Sequence, residues 1–244
     1  MIDPSSCGSS GSAIWGRAGA VVDSTTGNIL VATGNATWDG RTNWGDAVLA
    51  LNGNASQLVA NYTPSNTETL NSTDADIGST SPVFLDAGHV LQGGKDGRLR
   101  VLDLQSLAGA TSHRGGETQS VSTPSGSALF TAPAVWRRAD SVWIFAADNG
   151  GTAAWTYRNG TLTKAWSATS AGTSPIVAGG MLFVYDPGGT LRVFEPATGK
   201  VLGQLSAGSG HWNSPIVADR RIALPQGNAN SHATSGTFNI WRLP

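Results

Sequence analysis

The sequence predicts an all-β fold: a β-propeller of four-stranded antiparallel blades, with about five blades present. Three features carry this reading. A unit of about 40 residues recurs along the chain; Asp-Gly and Gly-Gly pairs sit where hairpin turns belong; and short apolar runs with a period of two lie between them.

The clearest unit reads Ser81-Pro82-Val83-Phe84-Leu85, Val90-Leu91-Gln92-Gly93-Gly94, Lys95-Asp96-Gly97 and Arg98-Leu99-Arg100-Val101-Leu102-Asp103. A second reads Ser174-Pro175-Ile176-Val177, Met181-Leu182-Phe183-Val184-Tyr185, Asp186-Pro187-Gly188-Gly189 and Thr190-Leu191-Arg192-Val193-Phe194. It closes with the turn Glu195 to Lys200 and a further strand from Val201 to Leu205. Weaker copies begin at Ala132-Pro133 and Ser214-Pro215, and the first copy has Gly19-Ala20-Val21-Val22 in place of the proline. Residues 1–14 are a polar lead-in and 15–244 the repeats, with units starting near 19, 82, 133, 175 and 215. The prolines are 51, 42 and 40 residues apart.

Each unit supplies a short strand, an apolar strand, a turn able to adopt positive φ, an alternating strand and usually a fourth strand. Leu99, Val101, Leu191 and Val193 alternate with Arg98, Arg100, Thr190 and Arg192, the pattern of a half-buried strand. Runs such as Leu182-Phe183-Val184 and Val142-Trp143-Ile144 suit inner strands covered on both faces. No stretch shows a helical period.

Composition narrows the function classes. Charged residues make up 13% of the chain and the net charge is −1, so no nucleic-acid partner is expected, because such partners require clustered Lys and Arg. No apolar run approaches the roughly 20 residues of a transmembrane helix. No signal peptide opens the chain. Met1 to Ser12 reads as an internal loop, so the chain is expected to begin partway round an incomplete ring, with blades of a parent protein missing. The single cysteine, Cys7, is expected to be a free thiol, and the four histidines lack zinc-ligand spacing.

Ser-Pro-Val, Gly-Gly, Asp-Gly-x-Leu-x-Val-x-Asp and Thr-Gly-Lys, taken together from Trp15 to Trp241, resemble the pyrroloquinoline quinone (PQQ) repeat. That repeat builds quinoprotein alcohol and sugar dehydrogenases and several non-catalytic relatives. Three stretches resemble the dehydrogenases more specifically. Gly34-Asn35, followed by Trp44-Gly45-Asp46 and Ala47-Val48-Leu49-Ala50-Leu51, matches the segment whose Asn binds the calcium beneath the quinone, which implies Asn35 as a metal ligand. Tyr62-Thr63-Pro64 with Asp74-Ala75-Asp76 matches the region of the catalytic aspartate. The resemblance implies Asp74 as base and a second metal ligand, with Asp76 as the alternative base, although Thr73 stands where the family has Trp. Gly93-Gly94-Lys95 matches the point where a cation faces the quinone oxygens, which implies Lys95; Trp212 is a further cofactor-side candidate at the channel mouth.

The resemblance therefore implies PQQ and calcium as cofactors, a small alcohol or sugar as substrate, and a periplasmic or secreted location. It also admits a non-catalytic propeller whose partner is a protein, like the outer-membrane assembly lipoprotein of the same repeat family, and more weakly a glycan-binding propeller. The family's vicinal cysteine pair and haem-attachment motif are absent. The expected acidic calcium ligand from an earlier blade has only Asp3 and Asp23 as candidates, neither in a matching motif. The remaining tryptophans, near strand ends, are expected to pack blades.

Overall fold

The computed structural model describes residues 11–211, 213–228 and 236–242. They form two compact units, Met1–Ser122 with Ala128–Phe130, and Thr123–Ser127 with Thr131–Pro244. Cys7 and Trp212 lie outside the described residues, as does Asp3. Among the described residues no helix is long and apolar enough to cross a membrane.

The first unit holds two antiparallel four-stranded blades. One is β1 (Val21–Val22), β2 (Ile29–Ala32), β3 (Val48–Leu51) and β4 (Leu58–Tyr62); the other is β5 (Val83–Phe84), β6 (His89–Gln92), β7 (Arg98–Asp103) and β8 (Gln119–Ser122). Period-two alternation gives each blade two apolar faces. From the first blade, Leu30, Ala32, Val48 and Ala50 enter a shared core with Val90, Leu102 and Phe84 of the second. Val22, Ile29 and Leu51, aligned across β1, β2 and β3, point the other way. The β1–β2 turn closes on Asp23, whose carboxylate accepts from the Thr25 amide and the Thr26 hydroxyl. Asp23 thus serves its own turn.

The second unit begins with β9 (Ala134–Arg137), β10 (Val142–Ala147), β11 (Thr152–Arg158) and β12 (Thr161–Ala168). The next blade is β13 (Ile176–Ala178), β14 (Met181–Asp186), β15 (Thr190–Phe194) and β16 (Val201–Ser206). The last is three-stranded, β18 (Ile216–Ala218), β19 (Arg221–Pro225) and β21 (Phe238–Arg242). Beside it, β17 (Gly210–His211) and β20 (Gly227–Asn228) make a short parallel pair. Phe145, Ala147 and Ala154 pack on Leu182, Val184 and Phe194. The opposite face of that middle blade, Phe183, Tyr185, Leu191 and Val193, packs on Ile222 and Leu224. Trp136, Trp143 and Trp166 join the first of these layers and Trp241 the second, the blade-packing role expected of them.

Two local expectations fail. No helical period is legible, yet Thr67–Ser72 form a short helix, α1, and Ile77–Ser79 a 3₁₀ turn. Six residues are too few for a period to register, and the helix is held by buried Leu70 rather than by an amphipathic stripe. Arg100, placed by alternation on the polar side of its strand, is buried and ion-paired with Asp96. Alternation reports a side and not its exposure, and here the side is covered with the charge neutralised.

The layers make a stability test. Phe183→Ala empties a fully buried site and is expected to lower unfolding free energy by about 3–5 kcal/mol in urea denaturation. Leu202→Ala, at a side chain 52% exposed, should stay within about 0.5 kcal/mol.

Candidate functional site

Three of the sequence-selected residues meet within the first unit. Asn35 follows β2, Asp74 follows α1, and Lys95 opens the hairpin between β6 and β7. The Asn35 Nδ2 donates to Asp74 Oδ1 at 2.6 Å, and Lys95 Nζ donates to the same oxygen at 2.6 Å. Lys95 Nζ also lies 2.7 Å from Asp76 Oδ2. One ammonium thus bridges both candidate bases.

Close backbone approach creates this meeting. A Cβ on Gly78 would sit 2.6 Å from the Gly34 nitrogen, and one on Gly45 would sit 2.1 Å from the Ala36 oxygen. Only glycine lets the 3₁₀ turn and the Gly-Asp loop lie against the Gly34–Asn35 corner. The Lys95 amide donates to the Asp76 carbonyl at 2.9 Å, which seats the hairpin on the Asp76 corner. The Asp46 amide donates to the Gly34 carbonyl at 3.0 Å, and Thr33 Oγ1 receives the Ala47 amide at 2.9 Å.

The two aspartates differ in setting. Asp74 is 76% exposed, with positive φ, and the Lys95 hydrogen bond holds its carboxyl below the usual range. Asp76 is buried, 1% exposed, and its Oδ1 accepts from the Trp15 indole at 3.2 Å. Burial works against the charge on Lys95, but its hydrogen bonds to Asp74 and Asp76 outweigh that and raise its pKa. Its ammonium also lies 5.0 Å from the Trp15 ring centroid.

Two members were not assigned by sequence reasoning. Trp15 was grouped with the packing tryptophans. Asp46, in sequence one member of the Trp44-Gly45-Asp46 motif, is fully buried in a left-handed backbone conformation. Neither of its carboxylate oxygens meets a donor in good hydrogen-bond geometry, nor does the Asn35 Oδ1. Burial, then the negative charge of Asp76, push the Asp46 pKa up to about 7, with the nearby Ile77 amide offsetting part of this. A polar residue in the turn-favouring dipeptide Gly-Asp gives no sequence signal of burial.

Among the described residues no group of three or more His, Cys, Asp and Glu side chains is arranged to hold a metal ion. Oxygens of the right chemistry for a hard cation are the Asn35 Oδ1 and the Asp46 carboxylate, which meet no donor, and the Asp74 carboxylate, whose Oδ1 already accepts from Asn35 and Lys95. Ala36, Thr37, Trp38, Thr67, Glu68 and Asn71 line a cavity of about 190 Å³, to which Asn35, Asp74 and Lys95 contribute no wall. Its walls are the segments that carry Asn35 and Asp74.

Lys95→Met would leave Asp76 buried with only the Trp15 indole as partner. Loss of about 2–4 kcal/mol of unfolding free energy at pH 7 is expected, read by urea denaturation. For Asp46 the sign is opposite. Its folded pKa, about 7, exceeds the ordinary carboxylate value of 3.8, so folding takes up a proton between these values and stability falls as pH rises through them. Asp46→Asn is expected to flatten that fall and to raise stability at pH 8 by about 1–3 kcal/mol, measured as thermal unfolding against pH.

No family model matches the chain, and no curated protein does. Among solved structures it is similar to the quinohemoprotein alcohol dehydrogenase ADHIIG from Pseudomonas putida HK5, with 13% identity over 89% of this chain and 45% of that one, TM-score 0.60. It is similar to a chain of the mitotic checkpoint complex, with 12% identity over 92% of this chain and 60% of that one, TM-score 0.61. A third is the Cps50 (Swd1) β-propeller domain of Myceliophteria thermophila, with 9% identity over 97% and 66%, TM-score 0.58. The chain spans 45% to 66% of the length of these structures. At such identities the likeness is one of fold, and with the blade topology it places the chain among the β-propellers.

Proposed function

We propose that this chain belongs to the PQQ-repeat propellers and carries part of a quinoprotein-type alcohol dehydrogenase site. The observation that supports this best is the convergence of Asn35, Asp74 and Lys95. They were selected from separate motifs, and their side chains stand in direct hydrogen-bond contact. The buried, unpartnered Asn35 Oδ1 is an oxygen that a calcium ion would satisfy, while the amide nitrogen of the same side chain is the group that faces Asp74.

PQQ, when bound, supplies the acceptor for the hydride that leaves the alcohol carbon. The residues of this chain act on the proton and on orientation. Asp74, exposed and ionised, is the acceptor for the substrate hydroxyl proton. Lys95 holds Asp74 in place and provides positive charge towards developing negative charge. Asp76, tied to Trp15 and Lys95, fixes the ammonium from the buried side.

A second reading, a non-catalytic propeller that binds a protein, is favoured by a different observation. Lys95 is already neutralised by two carboxylates, which suits a structural clamp between loops. The similar fold in the mitotic checkpoint complex sits within a protein assembly.

Thermal unfolding and absorbance with excess PQQ and calcium separate the two readings. Binding to the folded state alone is expected to raise Tm by several degrees. With Asp74 and Asp76 outnumbering Lys95, PQQ without calcium is expected to give a smaller shift, since the quinone is itself an anion. Absence of any shift with both present rejects the dehydrogenase reading. If the shift occurs, Asp74→Ala is expected to reduce dye-linked alcohol oxidation at least about 100-fold while sparing quinone binding. Retained turnover rejects Asp74 as the base.

A further inference from the structure

We propose that one hairpin end of the second unit is a basic docking surface for an acidic segment of a partner protein. The inference stands apart from any quinone chemistry.

Strand register defines this end. The hairpins β9–β10, β11–β12, β13–β14, β15–β16 and β18–β19 all turn at the same end of their blades. The apolar layers keep those ends side by side. Trp136 and Trp143 of one blade share a layer with Val177 of the next, and Ala178 and Met181 share the following layer with Val217 and Trp241. The Trp166 indole donates to the Pro196 carbonyl at 2.7 Å, which fixes the β15–β16 turn against the preceding blade. Blades cover one another on their faces, so hairpin ends meet solvent whichever blades stand beside them.

Arginine gathers at this end. Arg137 and Arg138 border the β9–β10 turn, Arg158 the β11–β12 turn, Lys200 the β15–β16 turn and Arg220 the β18–β19 turn. Arg221 opens β19 directly across from Arg242, the last residue of β21. All seven are exposed. Among the described residues at this end only Asp140, Glu195 and Asp219 oppose them, which leaves a surplus of four positive charges on a chain whose net charge is −1. At the opposite end the β10–β11 hairpin presents Asp148, and the β14–β15 hairpin presents Asp186 paired with Arg192. The seven cations are scattered between positions 137 and 242, so only the fold brings them together.

The pattern selects the partner. Six of the seven are arginine, whose planar fork grips a carboxylate with two hydrogen bonds. Arg138 lies 5.0 Å from the Trp136 ring centroid, an aromatic–arginine pair of the kind that anchors protein interfaces. Three carboxylates stand among the cations, which a partner of mixed charge tolerates and a dense row of phosphates does not. The turns carry no large apolar side chain to enter a lipid layer. An acidic protein segment meets all of these conditions.

Fluorescence anisotropy of a labelled peptide of alternating Glu and Ser residues tests this. Saturable binding to the unaltered protein is expected at low ionic strength, weakening at least about tenfold between about 20 and about 150 mM salt. Arg138→Glu and Arg220→Glu, on different blades, are each expected to weaken binding at least about threefold, and together about tenfold. Circular dichroism should not change, because both side chains are exposed. Arg41→Glu, at an exposed position of the first unit, alters net charge by the same amount and should leave the affinity within about twofold. Absence of saturable binding overturns the proposal, as does equal weakening by Arg41→Glu, which would mean attraction to net charge and not to this end. Tighter binding of duplex DNA or of phosphatidylserine vesicles than of the peptide at the higher salt would assign the surface to phosphates and overturns it as well.

Discussion

The ammonium of Lys95 holds together three stretches of chain that share no strand. It bonds Asp74 after α1 and Asp76 before the 3₁₀ turn, and through Asp74 it reaches Asn35 at the end of β2. Such a group works only where it is partly withdrawn from water and fully partnered. Lys95 is 17% exposed and meets two carboxylates. In a fully solvated setting the same pairs would contribute little. The glycine contacts at Gly45 and Gly78 bring the backbones near enough for so short a bridge, so local chain geometry and electrostatics depend on each other here.

Away from this cluster, apolar layers between blades hold the fold. Each layer is built from alternate residues of one blade against alternate residues of the next, as with Phe145 and Ala154 against Leu182 and Phe194. Such a layer demands volume and apolarity at given rungs and little else. That explains how propellers of 9% to 13% identity share the fold. It also explains why fold likeness says nothing of chemistry, since the layers ask only for apolar volume and not for the charged groups of the Lys95 cluster.

Much of the fold was legible in the sequence because the blade signals are local. Ser-Pro starts, Asp-Gly turns and alternate apolar residues each act within a few positions. The candidate cluster was legible only where motif resemblance pointed, to Asn35, Asp74, Asp76 and Lys95. Asp46 and Trp15 were missed because their importance lies in burial and in contacts across the chain; Trp15 and Asp76 are 61 residues apart. Arg100 was placed on the correct side of its strand but with the wrong exposure, because nothing within β7 reveals that Asp96 neutralises it.

Charge within the cluster constrains any ligand. Asp96 and Arg100 cancel as a pair, while Lys95 offsets only one of Asp74 and Asp76. Asp46 adds a further negative charge once pH exceeds about 7. The balance is therefore negative at neutral pH and becomes more so in base. A negative site in partly buried surroundings attracts cations and repels anions over a few ångströms, with little screening. An anionic cofactor could settle there only with a cation that reverses the balance. The Asn35 Oδ1 and the Asp46 carboxylate are oxygens of the cluster that accept no hydrogen bond and could receive one. The same charge balance that makes Lys95 an effective clamp thus makes cation binding a precondition for any anionic cofactor at this end of the first unit.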